Sequence, residues 1–220
     1  MKSKYAALLV AASCVAPSFA QTPPAGFVDE VVWSGLNVPT GMAMFPDGRM
    51  AVCEQFSAAM KIRSTTGATA TMGTVPNVST GSERGLLSIC VDPQFPTRPY
   101  VYTWYSRSSP ANMVLSMWTA TGAGLADPTS SAITLSNQYF IISDAPDAAF
   151  NHNGGTIRFG PDGFLYLSIG DDASSCTAQN LDLLQGCMLR LDVSTLPGVG
   201  SGPPAKSTLI PPLGNPWPTG

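Results

Sequence analysis

Three times along this chain a glycine opens a short apolar run, a turn rich in Pro, Asp or Gly follows, and a second apolar run returns. The copies start at Gly41, Gly85 and Gly155. In the first, Gly41 to Phe45 precedes Pro46-Asp47-Gly48 and the run Arg49 to Glu54. In the second, Gly85 to Val91 precedes Asp92-Pro93-Gln94-Phe95 and the aromatic run Tyr100 to Tyr105. In the third, Thr156 to Phe159 precedes Gly160-Pro161-Asp162-Gly163 and Phe164 to Ile169. Turn residues between two β-prone runs predict a hairpin. Leu165, Leu167 and Ile169 alternate with Phe164, Tyr166 and Ser168, so the last strand has one apolar face.

Further strand candidates trail each hairpin. They are Met60 to Ser64 and Thr69 to Pro76, then Met113 to Thr119 and Ala132 to Ser136, then Met188 to Val193. A four-stranded unit repeated every ~40–50 residues marks a β-propeller blade. The fold class expected is therefore all-β, a propeller with about three blades in residues 21–220. An antiparallel sandwich with chance recurrence of turns is the alternative. The wider interval before the third copy is expected to hold a loop insertion within Ser136 to Ala149. Phe27 to Trp33 is expected to add a strand, its alternation broken by Asp29 and Glu30. Closed propellers have at least about four blades, so the sequence is expected to lack its carboxy-terminal half.

Composition removes several classes. Hydrophobic residues are 44% and charged residues 11%, too apolar for disorder. A net charge of −3 gives no basic footprint, so nucleic acid is not expected as a partner. Residues 1–20 have the pattern of a secretory signal: Lys2 and Lys4, then the apolar Tyr5 to Val15, then Ser18-Phe19-Ala20. That run is too short to span a membrane, and a secreted or periplasmic protein is expected. A lipidated Cys14 is the competing reading of the same segment.

Removing the signal leaves Cys53, Cys90, Cys176 and Cys187. An oxidising compartment permits disulfides, and four cysteines allow three pairings. Cys176 and Cys187 flank the loop after Asp171, which makes them the expected bridge. Cys53 and Cys90 are then the remaining pair.

The only histidine, His152, lies just ahead of the third hairpin, in Asn151-His152-Asn153-Gly154-Gly155. A titratable group on a loop held by a rigid hairpin is a common way to build a site. Four segments in order, SERGLLSICVDPQF (82–95), NHNGGTIRFGPDGFLYLSIGD (151–171), AQNLDLLQGCMLRLDV (178–193) and IPPLGNPW (210–217), resemble the glucose/sorbosone dehydrogenase family of soluble quinoprotein aldose dehydrogenases. The resemblance runs from about Val32 to Trp217. It implies a six-bladed propeller, pyrroloquinoline quinone (PQQ) with calcium, a sugar substrate and an external electron acceptor.

The resemblance also assigns residues. It places the catalytic base at His152, beside the cofactor. An imidazole titrates near neutrality and suits removal of a proton from an anomeric hydroxyl. Glu83 occupies the position where sugar-oxidising members carry a glutamine that touches the quinone, and a carboxylate there departs from the pattern. Asp171 and Asp172 are expected to cap a turn, because two carboxylates fall far short of the oxygens calcium needs. Arg158 and Arg190 are expected in surface or capping roles. The family's Arg-Asn clamp and calcium-binding carbonyls are expected beyond Gly220, so residues 21–220 alone should be inactive. The alternative function is an extracellular binding propeller resembling Hedgehog-interacting proteins, which share an acidic residue at the Glu83 position.

Overall fold

A computed structural model describes residues 23–174, 176–180 and 182–211. The candidate signal and Cys14 lie outside the described residues. The described residues divide into two compact units, with the boundary between Gly35 and Leu36. In the first, Phe27 N donates to Pro24 O (3.0 Å), closing a turn. The expected strand over Phe27 to Trp33 does not form. Phe27, Val28 and Val31 are exposed there, and Asp29 and Glu30 deny the segment an apolar face to bury.

The second unit is all-β, with two short 3-10 turns at Thr177–Gln179 and Lys206–Leu209. Strands β1 (Pro39–Met44), β2 (Met50–Glu54), β3 (Ala59–Arg63) and β4 (Thr69–Thr74) form one antiparallel sheet in chain order. Strands β5 (Leu86–Val91), β6 (Tyr100–Ser108), β7 (Ala111–Thr121) and β8 (Thr134–Ala145) form the second. Strands β9 (Ile157–Phe159), β10 (Leu165–Ser168) and β11 (Met188–Leu191) form the third. Each sheet is a meander that starts at a Gly-led strand, and the starting strands β1, β5 and β9 lie side by side. This is the blade arrangement of a propeller.

Two cores separate three sheets. Met60, Ile62 and Met72 meet Leu86, Ile89 and Val114 in the first. Tyr102, Trp104 and Leu115 meet Ile157, Leu165 and Leu167 in the second. The middle sheet is therefore buried on both faces, and β6 and β7 are buried without alternation, polar Thr103, Ser106 and Ser116 included. Most of the expected insertion within Ser136 to Ala149 is instead strand: β8 stays paired with β7 as far as Ala145 opposite Met113. Much of the longer interval goes into longer strands, of 9, 11 and 12 residues for β6, β7 and β8, and the rest chiefly into the β7–β8 connection.

That double-faced sheet also corrects the expected Cys53–Cys90 bridge. All four described cysteines are free thiols. Ile89 and Cys90 are consecutive on β5, so their side chains leave opposite faces. Cys53 belongs to the first core and Cys90 to the second, with the sheet between them. Cys176 and Cys187 are also unbridged. Cys176 is exposed, while Cys187 turns inward and its Sγ donates to Leu184 O (3.0 Å).

Arginines tie each sheet to the next. Arg49, fully buried after the Pro46-Asp47-Gly48 turn, pairs with Asp47 (2.6 Å) and lies over the rings of Phe45 and Phe95. It donates to the carbonyls of Gly124 (2.7 Å), Leu125 (2.9 Å) and Ser130 (3.3 Å), between β7 and β8. Arg98, in the turn between β5 and β6, pairs with Asp92 (3.1 Å). It donates to Val193 O (3.0 Å) and Ser194 O (2.8 Å), just after β11.

Candidate functional site

The loops that lead from one sheet into the next share the end of the molecule where β1, β5 and β9 begin. Glu83 lies on the loop before β5, and His152 on the loop before β9. Because β10 runs antiparallel to β9, the chain returns to the same end at Asp171. The first turn of each sheet, with its Pro-Asp-Gly or Asp-Pro residues, lies at the other end.

His152 is fixed at three points. Its backbone N–H donates to Glu83 Oε2 (2.6 Å), and its carbonyl accepts from Asp172 N–H (3.1 Å). Its ring Nδ1 lies 2.8 Å from Asp171 Oδ1. A carboxylate only accepts, so the proton sits on Nδ1 and the lone pair of the neutral ring sits on Nε2. The side chain is 54% exposed. The backbone there is left-handed (φ 60°), a conformation held by these three bonds. Gly170 is required beneath it, since a Cβ there would collide with His152 O. Gly155 is required as well: a Cβ would enter the Trp104 indole.

Beneath this loop lies a buried polar cluster. Arg84 Nε donates to Asp147 Oδ1 (2.8 Å), and Arg84 Nη2 donates to Asp147 O (2.6 Å). Asn153 Nδ2 donates to the same Oδ1 (2.8 Å) and to Ala149 O (3.2 Å). Asp172 accepts from Ala148 N–H (2.9 Å) and Ala149 N–H (2.8 Å). Burial pushes the Asp147 carboxyl above the usual carboxylate range, with Arg84 pulling against it and nearby Asp172 adding to it. From the first sheet, Gln55 Nε2 donates to Ser82 O (3.2 Å) and Arg84 O (3.1 Å), which fixes the strap that presents Glu83. Ser82 and Glu83 form the middle of a turn closed by Arg84 N–H on Gly81 O (3.0 Å), from which Glu83 reaches His152 while Arg84 reaches Asp147.

The structure thus brings Glu83 and His152 together and adds residues that were not singled out as site residues. Asp171 caps its turn through Ala173 N–H (3.1 Å), as expected, and the same oxygen also holds the imidazole. Two strand runs joined by one turn place residues 152 and 171 at the same end, and that signal was present in the sequence. No sequence signal announces Asp147 or its pairing with Arg84. Arg158 donates to its neighbour's carbonyl, Ile157 O (2.6 Å). Arg190 pairs with Asp162 (3.0 Å) at the turn end and stacks on Phe164. Among the described residues, no group of three or more His, Cys, Asp or Glu side chains is placed to hold a metal ion.

A family model described as Glucose / Sorbosone dehydrogenase matches residues 36–200. The chain is 28% identical over 170 residues to aldose sugar dehydrogenase YliI of Escherichia coli (strain K12), covering 76% of this chain and 44% of that protein. It is 24% identical over 156 residues to quinoprotein glucose dehydrogenase B of Acinetobacter calcoaceticus, covering 70% of this chain and 32% of that protein. It superposes on the PQQ-bound aldose sugar dehydrogenase of Streptomyces coelicolor with a TM-score of 0.63 and 28% identity, covering 74% of this chain and 46% of that one. The chain therefore spans less than half the length of these relatives.

Proposed function

Because the chain belongs to the glucose/sorbosone dehydrogenase family, we propose that it forms the base-bearing wall of a sugar-oxidising site, with His152 as general base. The observation that carries this reading is the 2.8 Å contact between His152 Nδ1 and Asp171, which in the neutral ring leaves the lone pair on Nε2 of a half-exposed side chain. PQQ, when bound, supplies the acceptor for the hydride that leaves the sugar's C1. Nε2 takes the proton of the anomeric hydroxyl, and the sugar leaves as a lactone. The imidazolium so formed faces the Asp171 carboxylate, which stabilises its charge and keeps the ring in place.

The residues present fit the base side of such a site. Glu83 fits as a brace for the loop, because its Oε2 is engaged by the His152 N–H. Arg84 is committed to Asp147, so it does not serve as a clamp for the cofactor's carboxylates. Calcium is assigned no residue here and no step. Export to the periplasm or exterior, led by residues 1–20, and an external electron acceptor complete the proposal. No helix among the described residues is long and apolar enough to cross a membrane.

The test is reconstitution of the whole protein with PQQ and calcium, followed by aldose-dependent reduction of an artificial acceptor. His152→Ala should lower kcat by about 10²–10⁴. Full activity in that variant would overturn the assigned base. A whole protein that folds but binds no PQQ would favour the binding-propeller reading instead.

A further inference from the structure

We propose that Phe150 is a stacking platform for the sugar ring, setting how a pyranose lies against His152; this rests on the sugar-oxidising reading above. Phe150 is 68% exposed although the loop around it is tightly held. One face of its ring is backed by the Arg84 guanidinium, 4.7 Å from the ring centroid. That guanidinium is itself fixed to Asp147 at two atoms. The ring therefore keeps a defined orientation without a hydrophobic pocket around it. Its other face is left for a ligand.

Glu83 places this ring beside the base. Its backbone N–H donates to Phe150 O (3.2 Å), and its carboxylate accepts from His152 N–H (2.6 Å). One residue thus staples both to the same lip, two positions apart in sequence. An aromatic face carries negative electrostatic potential, and the axial C–H groups of a pyranose carry the opposite sign. A ring lying flat on Phe150 presents its edge, and so its anomeric hydroxyl, towards the neighbouring imidazole. Fixing the platform before binding also lowers the ordering cost of holding a flexible polyol.

The experiment compares the whole PQQ-loaded protein with its Phe150→Ala, Phe150→Tyr and Phe150→Trp variants, using glucose as probe. The expected result is a fall of about tenfold in kcat/KM for Phe150→Ala, carried mainly by KM, with recovery in Phe150→Tyr. A second readout needs no turnover: indole emission of Phe150→Trp in the cofactor-free protein should shift on titration with glucose. An unchanged KM in Phe150→Ala overturns the inference. So does a Phe150→Trp emission already shielded from solvent and unmoved by sugar. If the wild type oxidises no sugar, the sugar-oxidising reading fails first, and this inference falls with it.

Discussion

Asp171 Oδ1 and His152 Nδ1 lie 2.8 Å apart, although 19 residues separate them in the chain. The contact sets the tautomer, and Asp171→Asn tests it. An amide can present either a donor or an acceptor to Nδ1, so the ring is no longer held with its lone pair on Nε2. The expected result is a loss of about 10²–10⁴ in kcat of the PQQ-loaded whole protein, with its Tm close to that of wild type. An unaltered kcat would show that Asp171 does no more than cap its turn.

Glu83 braces the loop that carries His152 through its 2.6 Å bond from the His152 N–H. Glu83→Gln keeps an oxygen to accept that N–H and removes a negative charge from beside the proposed site of an anionic cofactor. Activity should stay the same or rise. Glu83→Ala removes the brace itself and should lower kcat. Equal effects of the two variants would argue against bracing.

Glu54 supplies a pH test of the fold. Burial opposes its ionisation, but bonds from Asn37 N–H (2.8 Å), Lys61 (2.7 Å) and Ser57 (2.7 Å) win, and its carboxyl titrates below the usual 4.5. A carboxyl with a depressed folded-state pKa adds stability above its unfolded value and loses it as pH falls through the folded one. Glu54→Gln should cost about 2 kcal/mol in urea unfolding at pH 7. The gap to wild type should narrow below pH 4.5. A gap that stays constant down to the acid limb would contradict the assignment.

Arg49→Ala should be severe. It leaves Asp47 without its partner and three backbone carbonyls without their donor. A loss of about 3–5 kcal/mol is expected. Arg49→Lys should recover only part of it, because an ammonium cannot reach so many carbonyls from one fixed plane. Matching urea midpoints for Ala and Lys would refute a role for the guanidinium fork.

Thiol titration checks the unbridged cysteines. Cys176 is exposed and should react promptly with Ellman's reagent in the native protein. Burial pushes the Cys53 thiol up to about 11, and it should react only on unfolding. Cys90, also raised by burial, should follow Cys53. Fewer than four reactive thiols among residues 53, 90, 176 and 187 in denaturant would reinstate a bridge.

Turn chemistry made the three hairpins legible, since Pro, Asp and Gly mark local geometry that needs no partner. The alternation of Leu165, Leu167 and Ile169 likewise showed which side would be buried. The extent of β8 was not legible, because its length is decided by pairing with β7 rather than by its own residues. Phe27 to Trp33 failed for the same reason in reverse: a β-prone run is no strand without a neighbour. At the site, Glu83 and His152 were singled out by two separate family-like segments, 82–95 and 151–171. The Arg84–Asp147 pair joins residues 63 apart, a distance over which local pattern carries no information.

Arg49 and Arg98 both leave an inner-hairpin turn and end on carbonyls that follow the third strand of the next sheet. The receiving side is main chain, which every residue type provides. Such a joint resembles a plug and socket in which only the plug is spelled in the amino-acid alphabet. The socket segments can drift in sequence while their path is kept, whereas the plugs cannot. A duplicated or shuffled module would carry its own plug and fit any successor, which gives the chain a head-to-tail polarity that side-chain chemistry on the receiving loops does not record.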